Sequence, residues 1–180
     1  MSSEDSLVLR QPWPALLEAE DAHIYDALMR GSAQHASIEF GGFLTNHLAH
    51  GVLALRSLGA SADRIRDFAD AYASRLEPPS DDDDENGDRW NPTKIATLRG
   101  TRRHFSALYR HFEHEIATDG DDGYAALHRH LGVLIDGLAG AAFHALIHAG
   151  YAAAARLPRL TAEALACELF AVRVPARPPM

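Results

Sequence analysis

The chain of 180 residues has one cysteine, Cys167, and one lysine, Lys94. A single thiol excludes an internal disulfide and a cysteine-built zinc site. Cys167 falls in an expected helix and is read as a small buried hydrophobe. The scarcity of lysine against 16 arginines (17 basic residues less Lys94) points to coding bias more than to function. With a net charge of -8 and no basic stripe, nothing in the chain is built to meet a phosphate backbone, so no nucleic-acid partner is expected. No run approaches the ~18 apolar residues of a membrane span, and the acidic N-terminus lacks the basic and apolar regions of a signal peptide. No membrane partner is expected, and the expected location is cytoplasmic. A Gly-x-Gly-x-x-Gly turn is also missing, so a nicotinamide reductant such as NADPH would have to bind transiently or act through a partner. Neither His-rich helix carries the glutamate of a His-Glu-x-x-His zinc hydrolase, which sets that chemistry aside.

Apolar residues make up 47% of the sequence, enough for one domain with a real core. Its organising stretch runs from Gly140 to Tyr151 (GAAFHALIHAGY) and contains no Asp, Glu, Lys or Arg. His144 and His148 stand four apart, and residues four apart share one face of a helix. Phe143, Leu146 and Ile147 occupy the other sides, so the helix is expected to be buried nearly all round. Buried imidazoles need partners. A second stretch, Phe43 to Gly59, repeats the character with His47 and His50 three apart among Leu44, Leu48, Val52 and Leu55. Packing the two helices together would gather four imidazoles in one place.

The rest of the chain is also helical in pattern. Residues 1–13 are expected to form an arm, and residues 14–173 one helical domain. Leu17, Ile24 and Leu28 mark the first helix, which stops at Gly31. Gly41 and Gly42 are expected to open the second and Gly59 to close it. Ser61 is expected to cap a third, whose apolar stripe is Ile65, Phe68, Tyr72 and Leu76. The acidic run within residues 77–91 reads as a linker. Asp82, Asp84, Asn86 and Gly87 match half a calcium loop, but Thr93 stands where the bidentate glutamate belongs. A short helix is expected up to Leu98, then a strong one through Phe105, Leu108, Tyr109, Phe112 and Ile116. His104, His111 and His114 lie off that stripe and are expected in solvent, as are His23 and His35. His128 and His130, two apart, cannot face one another on a helix. Leu127, Leu131, Leu134 and Leu138 form the next stripe. Thr161 is expected to cap a final helix before a proline-rich tail, 174–180. No segment alternates at period two, so the expected class is all-α, a compact bundle of six to seven helices.

Several stretches resemble the questin oxidase-like family: TNHLAH from Thr45, ALRSLGAS from Ala54, FEHEIATDG from Phe112 and GLAGAAFHALIHAGYA from Gly137. They occur in register from about Gly42 to about Leu169. The resemblance implies oxidation of polycyclic aromatic polyketides, with Baeyer-Villiger-like or dioxygenase-like ring opening, and a histidine-bound non-haem iron. Its motifs fall on Asn46 with His47 and on Phe143 with His144. His47 and His144 are therefore the leading candidate metal ligands. His50 and His148 follow as ligands or as catalytic acid-base groups. Phe43, Asn46, Phe143 and Tyr151 are candidates for the substrate pocket, and Asp136 or a modified Lys94 for completing the metal sphere. The resemblance also implies a chain about twice this long, so a homodimer or a partner chain is expected to supply the missing half.

The competing expectation is a structural or interaction module whose four histidines bond to one another, to the backbone or to buried water. Metal ligation predicts His47 and His144 nitrogens within about 2.0 to 2.3 Å of a common point. The structural reading predicts rings capped by protein hydrogen bonds. Completion by a second copy predicts an exposed apolar patch beside the cluster.

Overall fold

A computed structural model describes residues 22–42, 44–79, 95, 98, 100, 104–120, 123–135 and 140–171. The N-terminal arm, Phe43, the acidic run with its half calcium loop, Lys94, Asp136 and the tail lie outside the described residues, as does most of the short helix expected before Leu98. Among those described, seven α-helices carry the fold: α1 (Ala22–Met29), α2 (Leu48–Ser57), α3 (Ala62–Ala73), α4 (Phe105–Asp119), α5 (Tyr124–Leu134), α6 (His144–Ala155) and α7 (Pro158–Ala171). The all-α expectation holds, with one small addition. Glu39–Phe40 (β1) and Leu44–Thr45 (β2) pair antiparallel, Glu39 opposite Thr45 and Phe40 opposite Leu44.

That hairpin corrects the start of the second helix. Gly41 and Gly42 do not open it; they take φ of 56° and 89° in the reversal between β1 and β2. Glycine reaches positive φ without the Cβ penalty, and in a helix it would only lose entropy. The chain enters α2 at Leu48, with His47 as the N-cap residue. Ser61 caps α3 as expected, its hydroxyl accepting from the Arg64 N–H at 3.3 Å.

The centre of the molecule is α7, and this is a second correction. Every residue from Thr161 to Leu169 is buried, and the helix packs on α4, α5 and α6. Its alanines, Ala162, Ala164 and Ala166, let the neighbouring helices come close. Thr161 is not its cap. The helix begins a turn earlier at Pro158, whose fixed φ suits a first helical position and whose missing N–H costs nothing there.

Two hydrophobic clusters result. One joins Leu108, Phe112 and Ile116 of α4 to Ala126 of α5, Ala145 and Ala152 of α6 and Leu165 and Leu169 of α7. The other joins Ile24 and Leu28 of α1 to Leu48, Val52 and Leu53 of α2, Ile65 of α3 and Leu157. Each fully buried leucine, isoleucine, valine or phenylalanine contributes about 1.5 to 3 kcal/mol, and each alanine less. Within the second cluster, Gly51 lets α2 approach α3, since a Cβ there would overlap the Phe68 ring. Leu160 of α7 packs against both clusters, and α6, which carries His144 and His148, contributes residues to both. No helix among the described residues is long and apolar enough to cross a membrane.

Candidate functional site

Asn46 sets the entry into α2. Its Nδ2 donates to the carbonyls of Gly31 (2.8 Å) and Ser37 (3.4 Å), and its Oδ1 accepts from the Leu48 N–H at 3.1 Å. An asparagine side chain that bonds the backbone two residues on forms an Asx turn. The amide is thus committed to backbone, and the structure places Asn46 as a strut under His47 with no donor left over for a pocket. The His47 N–H donates to Tyr72 Oη at 3.0 Å, a second tie from α3. On α6, Ala142 and Phe143 precede His144 with φ of 55° and 67°. Left-handed conformations cost non-glycine residues about 1 to 2 kcal/mol each. That bend delivers the chain into α6 with Phe143 turned outward.

The four rings do meet. His47 stacks on His144 with centroids 4.8 Å apart and planes 10° from parallel. His50 meets His148 edge to face at 4.3 Å, and His47 lies 5.2 Å from His50 and 6.3 Å from His148. Tyr151 stacks on His50 at 4.6 Å. Of the other expected pocket residues, Phe143 is 58% exposed and Phe43 lies outside the described residues.

Burial controls the charge of these rings. It drives His50 down to about 3, with further lowering from the positive charges that His47 and His144 would carry. His148 lies well below the ordinary histidine range, again through burial first and then through its three histidine neighbours. His47 is lowered by burial and by His144. Among the described residues, His47 Nε2, His50 Nδ1 and His148 Nε2 are buried without a hydrogen-bond partner. An orphaned ring nitrogen is costly unless something binds it. As donors, neutral imidazoles suit iron, copper, zinc or nickel. Their directions are another matter. Stacked rings do not aim two lone pairs at one point, and no three described His, Cys, Asp or Glu side chains are set to hold an ion in this arrangement. Donor chemistry therefore fits a metal, and ring rotation would have to accompany its uptake.

The α6 helix is not buried all round. Leu146 and Ile147 are 46% and 39% exposed, and with Phe143 they form an apolar stripe on the outer face. Leu44, on the hairpin that leads into α2, is exposed as well. Monomeric surfaces seldom carry such contiguous apolar stripes without use.

The histidines outside the pairs have varied surroundings. His35 and His114 are exposed, as the pattern implied, and so is His128; His23 and His104 are half-buried, against the expectation of solvent, with His104 Nδ1 3.4 Å from the Leu98 carbonyl. His111 and His130 instead flank Glu115, at 3.6 Å and 2.9 Å, joined there by Arg129, which also reaches Asp119 at 2.6 Å. Burial alone would raise the Glu115 carboxyl, but His130 and Arg129 hold it below its ordinary value. Helix periodicity could not reveal this bridge, because its partners lie on α4 and α5.

The questin oxidase-like family profile matches residues 44–174. The Baeyer-Villiger oxidase AgnL3 of Paecilomyces divaricatus is 34% identical over 129 residues, covering 67% of this chain and 27% of that protein. The chain thus spans about a quarter of the relative it matches. No solved structure matches the chain. Because the matched span contains both histidine pairs and most of the described fold, the chain belongs to the questin oxidase-like family.

Proposed function

We propose that this chain bears the histidine part of an oxidoreductase that uses dioxygen to oxidise or ring-open an aromatic polyketide-type substrate. The observation that carries the reading is the trio of buried ring nitrogens on His47, His50 and His148 that have no partner among the described residues, gathered within the span that matches the family. The relative named as a Baeyer-Villiger oxidase supports the reaction class.

Non-haem iron is the proposed metal, with His47, His144, His50 and His148 as its holders. When bound, it would supply the binding and activation of dioxygen. The protein's own contribution begins with neutrality: burial keeps His50 and His148 uncharged at physiological pH, and the neutral ring is the one with a lone pair to give. The same burial makes both poor proton carriers near neutral pH, so ligand duty suits them better than acid-base duty. Tyr151 and the rings beside it offer flat apolar faces to a polycyclic substrate. Inserting one atom of dioxygen into a carbon–carbon bond while the other becomes water requires two electrons, for which NADPH is the proposed source. The exposed stripe of Phe143, Leu146 and Ile147 supports completion of the site by a second copy or by a partner chain. A cytoplasmic location completes the proposal.

Metal content per chain tests this first, measured by plasma mass spectrometry on protein purified without chelator, beside His144→Ala. Near-stoichiometric iron that is lost in the variant, followed by dioxygen consumption with a hydroxylated anthraquinone and NADPH, is the expected result. Failure to retain iron after loading would remove the oxidase reading for this chain. One observation favours the alternative, a non-catalytic helical module with a buried histidine cluster: no three described ligands are set to hold an ion. That reading expects an unchanged ring arrangement in the presence of metal.

A further inference from the structure

Among the described residues three non-glycines take positive φ, and two of them are neighbours, Ala142 (55°) and Phe143 (67°), immediately before His144. A single left-handed residue is ordinary at a helix end; two in succession are not, since each sets its Cβ against a carbonyl oxygen. They close the short 3₁₀ turn Gly140–Phe143 from which α6 starts. Neither side chain is buried, so packing of their own does not hold them there. Phe143 stands at the N-cap position with no side-chain hydrogen bond to cap the helix. Backbone strain of this kind persists where the surroundings impose it, and it gathers at switch regions.

The other three histidines are held more firmly. His50 and His148 are buried within α2 and α6. His47 is half-buried, but its N–H is bound to the Tyr72 hydroxyl at 3.0 Å, and Asn46 before it is bound to the Gly31 carbonyl at 2.8 Å. As they stand, His47 and His144 cannot share an ion, because their planes are 10° from parallel and their lone pairs lie in those planes. One of the two rings has to leave the stack. His47 is tied on its entry side, whereas His144 is strained on its own.

We propose that the Gly140–Phe143 turn is a strained hinge and that His144 is the moving ligand of the cluster. On metal uptake Ala142 and Phe143 return to negative φ, and His144 leaves its stack on His47 to join His47, His50 and His148. Ala142 and Phe143 are then positioning residues: strain held in the metal-free fold is released on binding and adds to affinity. Such a hinge rests on the reading of the cluster as a metal site, and it determines how that site closes.

Zinc(II) alone is the probe, titrated by calorimetry into the full chain after chelator treatment, beside Ala142→Gly and Ala142→Val. Glycine takes positive φ freely, so Ala142→Gly removes the strain that uptake releases and should bind zinc about tenfold more weakly, equivalent to about 1.4 kcal/mol. The freedom of glycine in the unfolded chain does not enter, since both states compared are folded. Valine is poorly tolerated at positive φ, so Ala142→Val should lower the melting temperature of the metal-free protein and bind zinc more tightly. In NMR, the His144 ring protons should lose the ring-current shift of the His47 stack as zinc saturates. A purely structural turn would move melting temperatures alone. Unchanged zinc affinity in Ala142→Gly, or a His144 ring that keeps its stack with zinc bound, overturns the hinge and leaves the metal site standing; no zinc binding by the parent chain overturns both. If Ala142→Val does not fold, the glycine variant and the ring shift still decide.

Discussion

His50 on α2 and His148 on α6 meet edge to face with ring centroids 4.3 Å apart, each burying a ring nitrogen that no described group satisfies. Both are buried where α2 packs on α6, so their protonation bears on stability as well as on chemistry.

Folded His50 titrates at about 3, below the ordinary histidine value of 6.5. The unfolded chain therefore takes up its proton first as the pH drops. Stability is present above pH 6.5 and is lost as the pH falls toward 3. By pH 4 the loss from this group approaches about 3 kcal/mol. Urea unfolding at pH 7 and pH 4 checks this, with His50→Gln expected to lose less across the same interval.

Glu168 slopes the other way. It is 0% exposed, both carboxyl oxygens lack a described partner, and burial pushes it up to about 7 from an ordinary 4.5. Its contribution is fully present below pH 4.5 and is lost as the pH rises through 7. Glu168→Gln should therefore stabilise the protein at pH 8 by up to about 3 kcal/mol relative to its effect at pH 4.5. An equal effect at both pH values would mean that the carboxyl has a partner after all.

Asn46→Ala should cost about 1 to 2 kcal/mol, since it removes the acceptor of the Leu48 N–H and strands the Gly31 carbonyl. It should also loosen His47, seen as exchange broadening of its ring protons in NMR. A variant as stable as the parent would show that the Tyr72 hydroxyl alone holds this entry.

Gly51→Ala should destabilise by about 1 to 3 kcal/mol through overlap with the Phe68 ring. Adding Phe68→Leu should recover part of that loss, because the obstacle is a side chain and not backbone. Thermal unfolding of both variants decides it.

If a second copy covers the outer face of α6, Phe143→Asp combined with Ile147→Asp should convert a dimer to a monomer in sedimentation velocity, with little change in melting temperature. A monomeric parent chain would instead direct the search to a partner chain.

The ladders of Ile65, Phe68 and Tyr72 and of Phe105, Leu108, Phe112 and Ile116 were readable because a helix repeats its buried face at a fixed spacing. His47 with His50 and His144 with His148 were readable as pairs for the same reason. Local spacing could not decide the surroundings of those pairs. The central role of α7 was masked by Glu163 and Glu168, which break its apolar pattern although both are buried. Phe143, Leu146 and Ile147 look like core residues in one dimension and line the outside in three.

The sequence by itself determined the helical class, the family motifs and the two histidine pairs, because each rests on contacts within one turn of helix or on a contiguous run of residues. Only the tertiary structure decided that the four rings converge, that burial keeps His50 and His148 neutral and that α6 shows an apolar face to the outside. Those properties depend on which helix faces which, and on how much water each side chain loses when the two clusters close together.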